Sequence, residues 1–178
     1  MPRFRNTATV VRSAAPGSQG APAEPGAITI PSGIRPLAHS DLAAVVRIDA
    51  FHTGSSKRGH WKRIFANFLG APHDRFRVGL AADGPRGLLG YLLGEVRAFE
   101  FGSEPCGWVF AVGVDAAALH RGVGSALLDE ACRGFRQAGV LTVRTMVKRN
   151  DVPVLAFFRR SGFTGGPYVQ LEIDLTGA

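Results

Sequence analysis

The chain has 178 residues, 46% of them hydrophobic, which suits one domain with a full core. No apolar run approaches the ~20 residues of a membrane span and no secretory hydrophobic segment is visible, so a cytoplasmic protein without membrane contact is expected. A formal net charge of +7 favours anionic ligands and admits nucleic acid as a rival partner.

Met1 to Ser32 carries Pro16, Gly17, Ser18, Gly20, Pro22, Pro25, Gly26 and Pro31 with little apolar periodicity. Such a segment cannot offset its ordering entropy, so residues 1–32 read as a flexible basic tail and residues 33–178 as the folded domain. Arg3, Arg5 and Arg12, with no acid before Glu24, imitate an organelle presequence, but a plain leader is the preferred reading.

Within the domain, Ser40 is expected to cap a helix running to about Phe51, with Leu42, Val45, Val46 and Ile48 inward. A second helix is expected from Gly59 to Phe68. Strands follow at Arg75 to Ala82, Leu88 to Phe99 and Cys106 to Val114, joined by the Asp83-Gly84-Pro85 turn and the Gly102-Ser103-Glu104-Pro105 loop. This is an antiparallel meander. The next helix buries Val123, Ala126, Leu127, Ala131 and Phe135 at helical spacing and stops at Gly139. Leu141 to Val147 reads as a strand, Pro153 to Arg160 as a helix with proline in its first turn, and Val169 to Leu175 as a last strand.

The junction from Val112, Gly113 and Val114 to Leu128 is the richest in chemistry. It reads as a strand, a glycine turn and a helix start. Gly122 and Gly124 let backbone approach a ligand, and the N–H groups of Val123, Gly124 and Ser125 should point outward where the helix dipole favours a phosphate. A pyrophosphate is the expected ligand. A P-loop would need lysine after the second glycine, where Ser125 stands. A dinucleotide fingerprint would need a third glycine where Leu127 stands, and an acid where the following strand ends in Lys148 and Arg149.

The run resembles the pyrophosphate-binding segment of the GNAT superfamily of N-acetyltransferases, whose pattern is Q/R-x-x-G-x-G/A. Two registers are open. One places Gly122 and Gly124 on the glycines and leaves Leu119 at the Q/R position; the other uses Arg121, Gly124 and Ala126 and shifts the helix start by two residues. The first is preferred. Gly107 to Asp115 resembles the family's fourth strand, whose bulge splays two strands and seats the pantetheine arm. Asn150, followed by Ser161-Gly162-Phe163, resembles its N…GF ending, and Ile34-Arg35-Pro36-Leu37 with Ser40-Asp41-Leu42 its opening. The resemblance implies an α/β fold of the α+β kind, a mixed and mostly antiparallel sheet flanked by helices.

It also implies acetyl-CoA as acyl-donor cosubstrate and direct transfer to a small-molecule or peptide amine in a ternary complex. Val112, Gly113, Val114, Arg121, Gly122, Val123, Gly124, Ser125, Asn150, Phe157 and Phe158 are the expected cofactor contacts. The family often places a proton-donating tyrosine four residues before the glycine of Gly-Phe, and here that position is Phe158. Tyr168 is the substitute if the last loop folds inward. Glu95, Glu100 and Glu104 lie on or beyond the third strand, the side from which the family's acceptor approaches; Glu95 is the first choice as base. His52, His60 and His73 flank the second helix and could line the acceptor mouth.

Two other readings stay open beside the transferase. One is a non-catalytic acyl-CoA-binding module, because Phe158 cannot donate a proton. The other is a dinucleotide-binding oxidoreductase, which Leu127 disfavours. Nucleic acid is disfavoured because no recognition signature accompanies the Lys57-Arg58 and Lys62-Arg63 pairs, and Trp61 reads as a packing residue. Cys106 and Cys132 have neither metal spacing nor a disulfide framework, so ordinary thiols and no metal are expected. A homodimer is left open.

Overall fold

The computed structural model describes residues 33–70, 76–98 and 102–176. The expected tail, His73 and Glu100 lie outside the described residues. The sheet has five strands in chain order: β1 (Ile34–Pro36), β2 (Arg77–Gly84), β3 (Gly87–Arg97), β4 (Cys106–Val114) and β5 (Val143–Arg144). The first four pair antiparallel and β5 runs parallel to β4, so the mixed, mostly antiparallel sheet is present. Among the described residues four α-helices flank it: α1 (Leu42–Thr53), α2 (Arg58–Leu69), α3 (Val123–Gln137) and α4 (Val152–Arg160).

Period-two alternation sorts the core into two layers. Leu80, Ala82, Leu92 and Val109 pack beneath Val123, Leu127, Leu128, Ala131 and Phe135 of α3 and Phe158 of α4. Ala81, Tyr91 and Leu93, their strand neighbours, face the other way onto Val45, Val46 and Ile48 of α1 and Trp61 and Phe65 of α2. Phe135 is fully buried because two strand positions under it lack side chains. A Cβ on Gly107 would lie 2.7 Å from its ring, and one on Gly94 2.9 Å. The β2–β3 turn holds Pro85 and Arg86 between paired Gly84 and Gly87.

Three expectations are corrected. Ser40 makes no cap: it sits in a short 3-10 turn, His39–Asp41, and Asp41 precedes α1. The Asp41 carboxylate accepts from the Ala38 N–H at 2.8 Å and receives a bidentate bond from Arg35, whose other edge grips Asp83 of β2. This fork ties β1, β2 and the start of α1 together, and it holds the Asp41 carboxyl below its ordinary range. The strand expected from Leu141 to Val147 pairs only at Val143 and Arg144. Residues 169–175 form no strand: Val169, Leu171, Ile173 and Leu175 alternate as a strand would, yet all are exposed. Alternation marks a face, but a strand also needs a ladder partner, and β5 offers only two paired residues before the chain turns away. No helix among the described residues is long and apolar enough to cross a membrane.

Candidate active site

Gly122 is the N-cap of α3 with φ 79°, and His120 is also left-handed at φ 60°. The first helical bond runs from the Ala126 N–H to the Gly122 carbonyl at 2.9 Å. That leaves the N–H groups of Val123, Gly124 and Ser125 without helical partners, at the positive end of the dipole. The helix begins at Val123. Gly124 has a packing reason as well: a Cβ there would meet the Phe157 ring at 3.2 Å and Val114 at 3.5 Å. Its missing side chain therefore lets α3 approach α4 and the end of β4. Arg121 and Ser125 are exposed at the rim.

The strand feeding this turn is irregular where a ligand would need it to be. Leu93 pairs with Ala111 and Gly94 with Val109, so Phe110 has no opposite residue and forms a bulge. On the other edge, pairing with β5 stops at Trp108 and Arg144. Beyond it the Thr145 hydroxyl donates to the Val109 carbonyl at 2.9 Å, and the strands then part. The Val114 carbonyl is 2.7 Å from His52 Nε2. Asp115, at the strand exit, is ion-paired with Arg47 and accepts from the Ala117 N–H, which together hold its carboxyl low.

A cavity of about 440 Å³ opens in the gap. Val109 to Val112 of β4 form its floor, Thr145 and Met146 one side, and Val154 and Phe158 of α4 the end. The helical wall is Asp49 of α1 with Lys57, His60, Trp61 and Ile64, and Tyr91 lies beneath. Burial, and then the Asp49 charge, push the Tyr91 phenol well above its ordinary range, which keeps it neutral.

The sequence candidates fall in different places. Phe158 is buried and lines the cavity, edge-on to Phe157 at 4.9 Å and Phe163 at 5.1 Å. Asn150 is exposed in the turn before α4, and the cap of that helix is Asp151, which accepts from the Val154 N–H at 3.2 Å. Glu95 lies outside the gap, in a neighbouring hollow of about 290 Å³ with His60, Arg63, Phe68, Arg77 and Phe110. Its carboxylate is engaged by Arg97 at 3.2 Å and Arg77 at 4.0 Å. Glu104 is exposed. Tyr168 is 47% exposed, its ring lies 4.8 Å from the Arg144 guanidinium, and it lines neither hollow. Cys106 is buried and Cys132 half-buried, both free thiols, with the Cys132 thiol raised by burial. Asp49, which sequence reasoning did not single out, lines the gap together with Lys57. Asp49 sits in a helix that reads as ordinary, and only the fold brings its carboxylate to the gap.

The family model described as acetyltransferase (GNAT) family matches residues 42–163. A mycothiol acetyltransferase of Saccharomonospora viridis is 40% identical over 63 residues, covering 35% of this chain and 21% of the relative. The chain thus spans about a fifth of the length of the curated relative it matches. The aminoglycoside 6'-N-acetyltransferase AAC(6')-IG of Acinetobacter haemolyticus, solved without ligand, superposes with a TM-score of 0.64 at 19% identity, covering 80% of this chain and 99% of that one. The aminoglycoside N-acetyltransferase AAC(6')-Iy, solved in complex with CoA, gives a TM-score of 0.67 at 14% identity, covering 80% and 94%.

Proposed function

Because the chain belongs to the GNAT acetyltransferase family, we propose that it transfers an acetyl group from acetyl-CoA to a primary amine by direct attack in a ternary complex. The observation that carries this reading is continuity. Beyond Trp108 the edge of β4 has no strand partner and runs from the cavity at Phe110 to Val114, whose carbonyl meets His52 and whose side chain lies beside Gly124 at the start of α3. A long donor with a charged head and a thin arm fits that path.

In this reading the N–H groups of Val123, Gly124 and Ser125 would receive the pyrophosphate, with Arg121 and Gly122 shaping the turn. Each amide bond to a charged group is worth about 1.5–3 kcal/mol. Val112, Gly113 and Val114 would align the pantetheine arm along the end of β4, with Asn150, exposed in the turn before α4, as a further contact. Phe158 would hold the thioester end and keep water from it, while Phe157, packed against Gly124, would back the pyrophosphate turn. The amine nitrogen attacks the thioester carbonyl, the C–S bond breaks, and the departing thiolate takes a proton from solvent or from the ammonium product. A thiol of pKa about 8.5 leaves tolerably without a dedicated acid, so Phe158 in place of a donor is compatible with turnover.

An amine of pKa about 10.4 must first lose a proton at roughly 4–5 kcal/mol at pH 7, whereas an α-amine near 8 costs about 1–1.5 kcal/mol. A base therefore matters more for the first kind. Glu95 stands one hollow away, so it would act at the acceptor mouth and not at the thioester.

Thermal shift with acetyl-CoA, free CoA and nicotinamide cofactors, followed by thiol release with an amine library, tests the reading. Stabilisation by acetyl-CoA with amine-dependent thiol release supports it. Stabilisation by CoA with no release from any amine would favour the binding module, and stabilisation by a nicotinamide cofactor alone would favour the oxidoreductase.

A further inference from the structure

Asp49 is half-buried in the wall of the larger cavity, its side chain 11% exposed and its Oδ2 shut off from solvent. Buried carboxylates are rare unless paired, because desolvation penalises the charge. The pairing here is incomplete. Lys57 Nζ stands 3.2 Å from Oδ2 and bonds Oδ1 at a long 3.4 Å, and Oδ2 itself has no directed hydrogen bond. Trp61 Nε1, on the same wall, is also buried without a partner. Lys57 comes from the residues just before α2 and its side chain is 41% exposed, so it can leave for solvent at little cost. The same cavity is lined by Val112, assigned above to the pantetheine arm, and by Phe158, assigned to the thioester end.

We infer that Asp49 is the ammonium-binding residue of the acceptor subsite, that Lys57 occupies this position as an internal stand-in, and that a cationic amine displaces it on binding. This rests on the acetyl-transfer reading for its purpose, but not for its geometry. It selects acceptors that arrive positively charged, and it disfavours neutral hydroxyl compounds and amines flanked by a carboxylate. Asp49 acts here on binding: its effect falls on KM and leaves kcat nearly unchanged.

The test is calorimetric titration of glucosamine and 1,4-diaminobutane as cationic probes, with glucose as neutral control, into the full chain with and without acetyl-CoA. Asp49→Asn should weaken cationic probes roughly ten- to a hundredfold, the loss expected for a charged hydrogen bond, with acetyl-CoA affinity unchanged. Lys57→Met, which removes the competitor, should tighten the same probes. The opposite signs separate this proposal from a merely structural ion pair, which both variants would weaken alike. Equal weakening by both, no effect of Asp49→Asn, or no binding of either cation to the wild-type chain would each overturn it. Failure of acetyl-CoA to bind would instead overturn the transferase reading, because the probes report on Asp49 without it.

Discussion

Replacing Phe158 by Tyr asks whether this ring serves the cavity or only the core. The ring is 5% exposed and belongs to the layer beneath α3, yet one of its surfaces lines the 440 Å³ gap beside Thr145 and Val112. The added hydroxyl keeps the ring shape and extends it by one oxygen. If that oxygen enters the core, it stays unsatisfied at about 1–3 kcal/mol. For a domain of this size each kcal/mol shifts Tm by about 2–4 °C, so the melting temperature would fall by roughly 2–12 °C. If it enters the gap, it meets water or the departing sulfur and costs little. A positioned acid contributes about 10²–10⁴-fold where the leaving group needs one, but a thiolate needs one less, so a gain of about tenfold or below is expected. We expect Tm to hold within about 2 °C while the single-turnover rate of acetyl transfer rises. Differential scanning fluorimetry and stopped-flow thiol detection on the one variant read both quantities. A clear drop in Tm with no rate gain would refute the placement of Phe158 at the thioester.

Asp151→Ala should lower stability by about 0.5–2 kcal/mol through loss of the α4 cap, seen as a reduced midpoint in urea. Asn150→Ala should leave that midpoint unchanged and weaken acetyl-CoA by about 0.5–1.5 kcal/mol in calorimetry; a stability loss without an affinity loss would remove Asn150 from the site. Gly122→Ala forces a Cβ into the left-handed region and should cost about 1–2 kcal/mol, read as a lower Tm without loss of overall fold by circular dichroism. Asp41 has a folded-state pKa below its unfolded value, so its contribution is present above the ordinary value near 3.8 and is lost as pH falls through the lower one. Asp41→Asn should therefore flatten the fall of Tm on acidification below pH ~4, and an unchanged acid slope would contradict the role given to the Arg35 fork.

Much of this architecture was legible because it is written in local patterns. Glycine spacing marked the Gly122 turn, a helical stripe marked α3, and period-two runs marked β2 to β4. The order of motifs also gave the family. What stayed hidden depends on partners distant in sequence. Ser40 reads as the cap of α1, yet Asp41 stands at the helix start, its carboxylate turned to Arg35 and the Ala38 N–H instead of to the helix. The alternation of residues 169–175 is as regular as that of a true strand, but the ladder that would use it is missing. Glu95 drew attention by lying on β3, yet the register directs it toward Arg77 and Arg97. Asp49 drew none. Its meaning comes from the parting of β4 and β5, which no helix pattern announces.

The most direct test of the account is acetyl-CoA calorimetry on Ser125→Glu. Ser125 is exposed in the first turn of α3, so glutamate there disturbs no packing and suits the helix dipole. Gly124→Glu would abolish binding as well, but a side chain there also presses on Phe157. The account predicts a Ser125→Glu protein that melts at or above the wild-type temperature and binds acetyl-CoA at least about tenfold more weakly, since a fixed negative charge would face the pyrophosphate and displace a contact worth about 1.5–3 kcal/mol. A folded Ser125→Glu protein with wild-type acetyl-CoA affinity would contradict the claim that the start of α3 holds the donor.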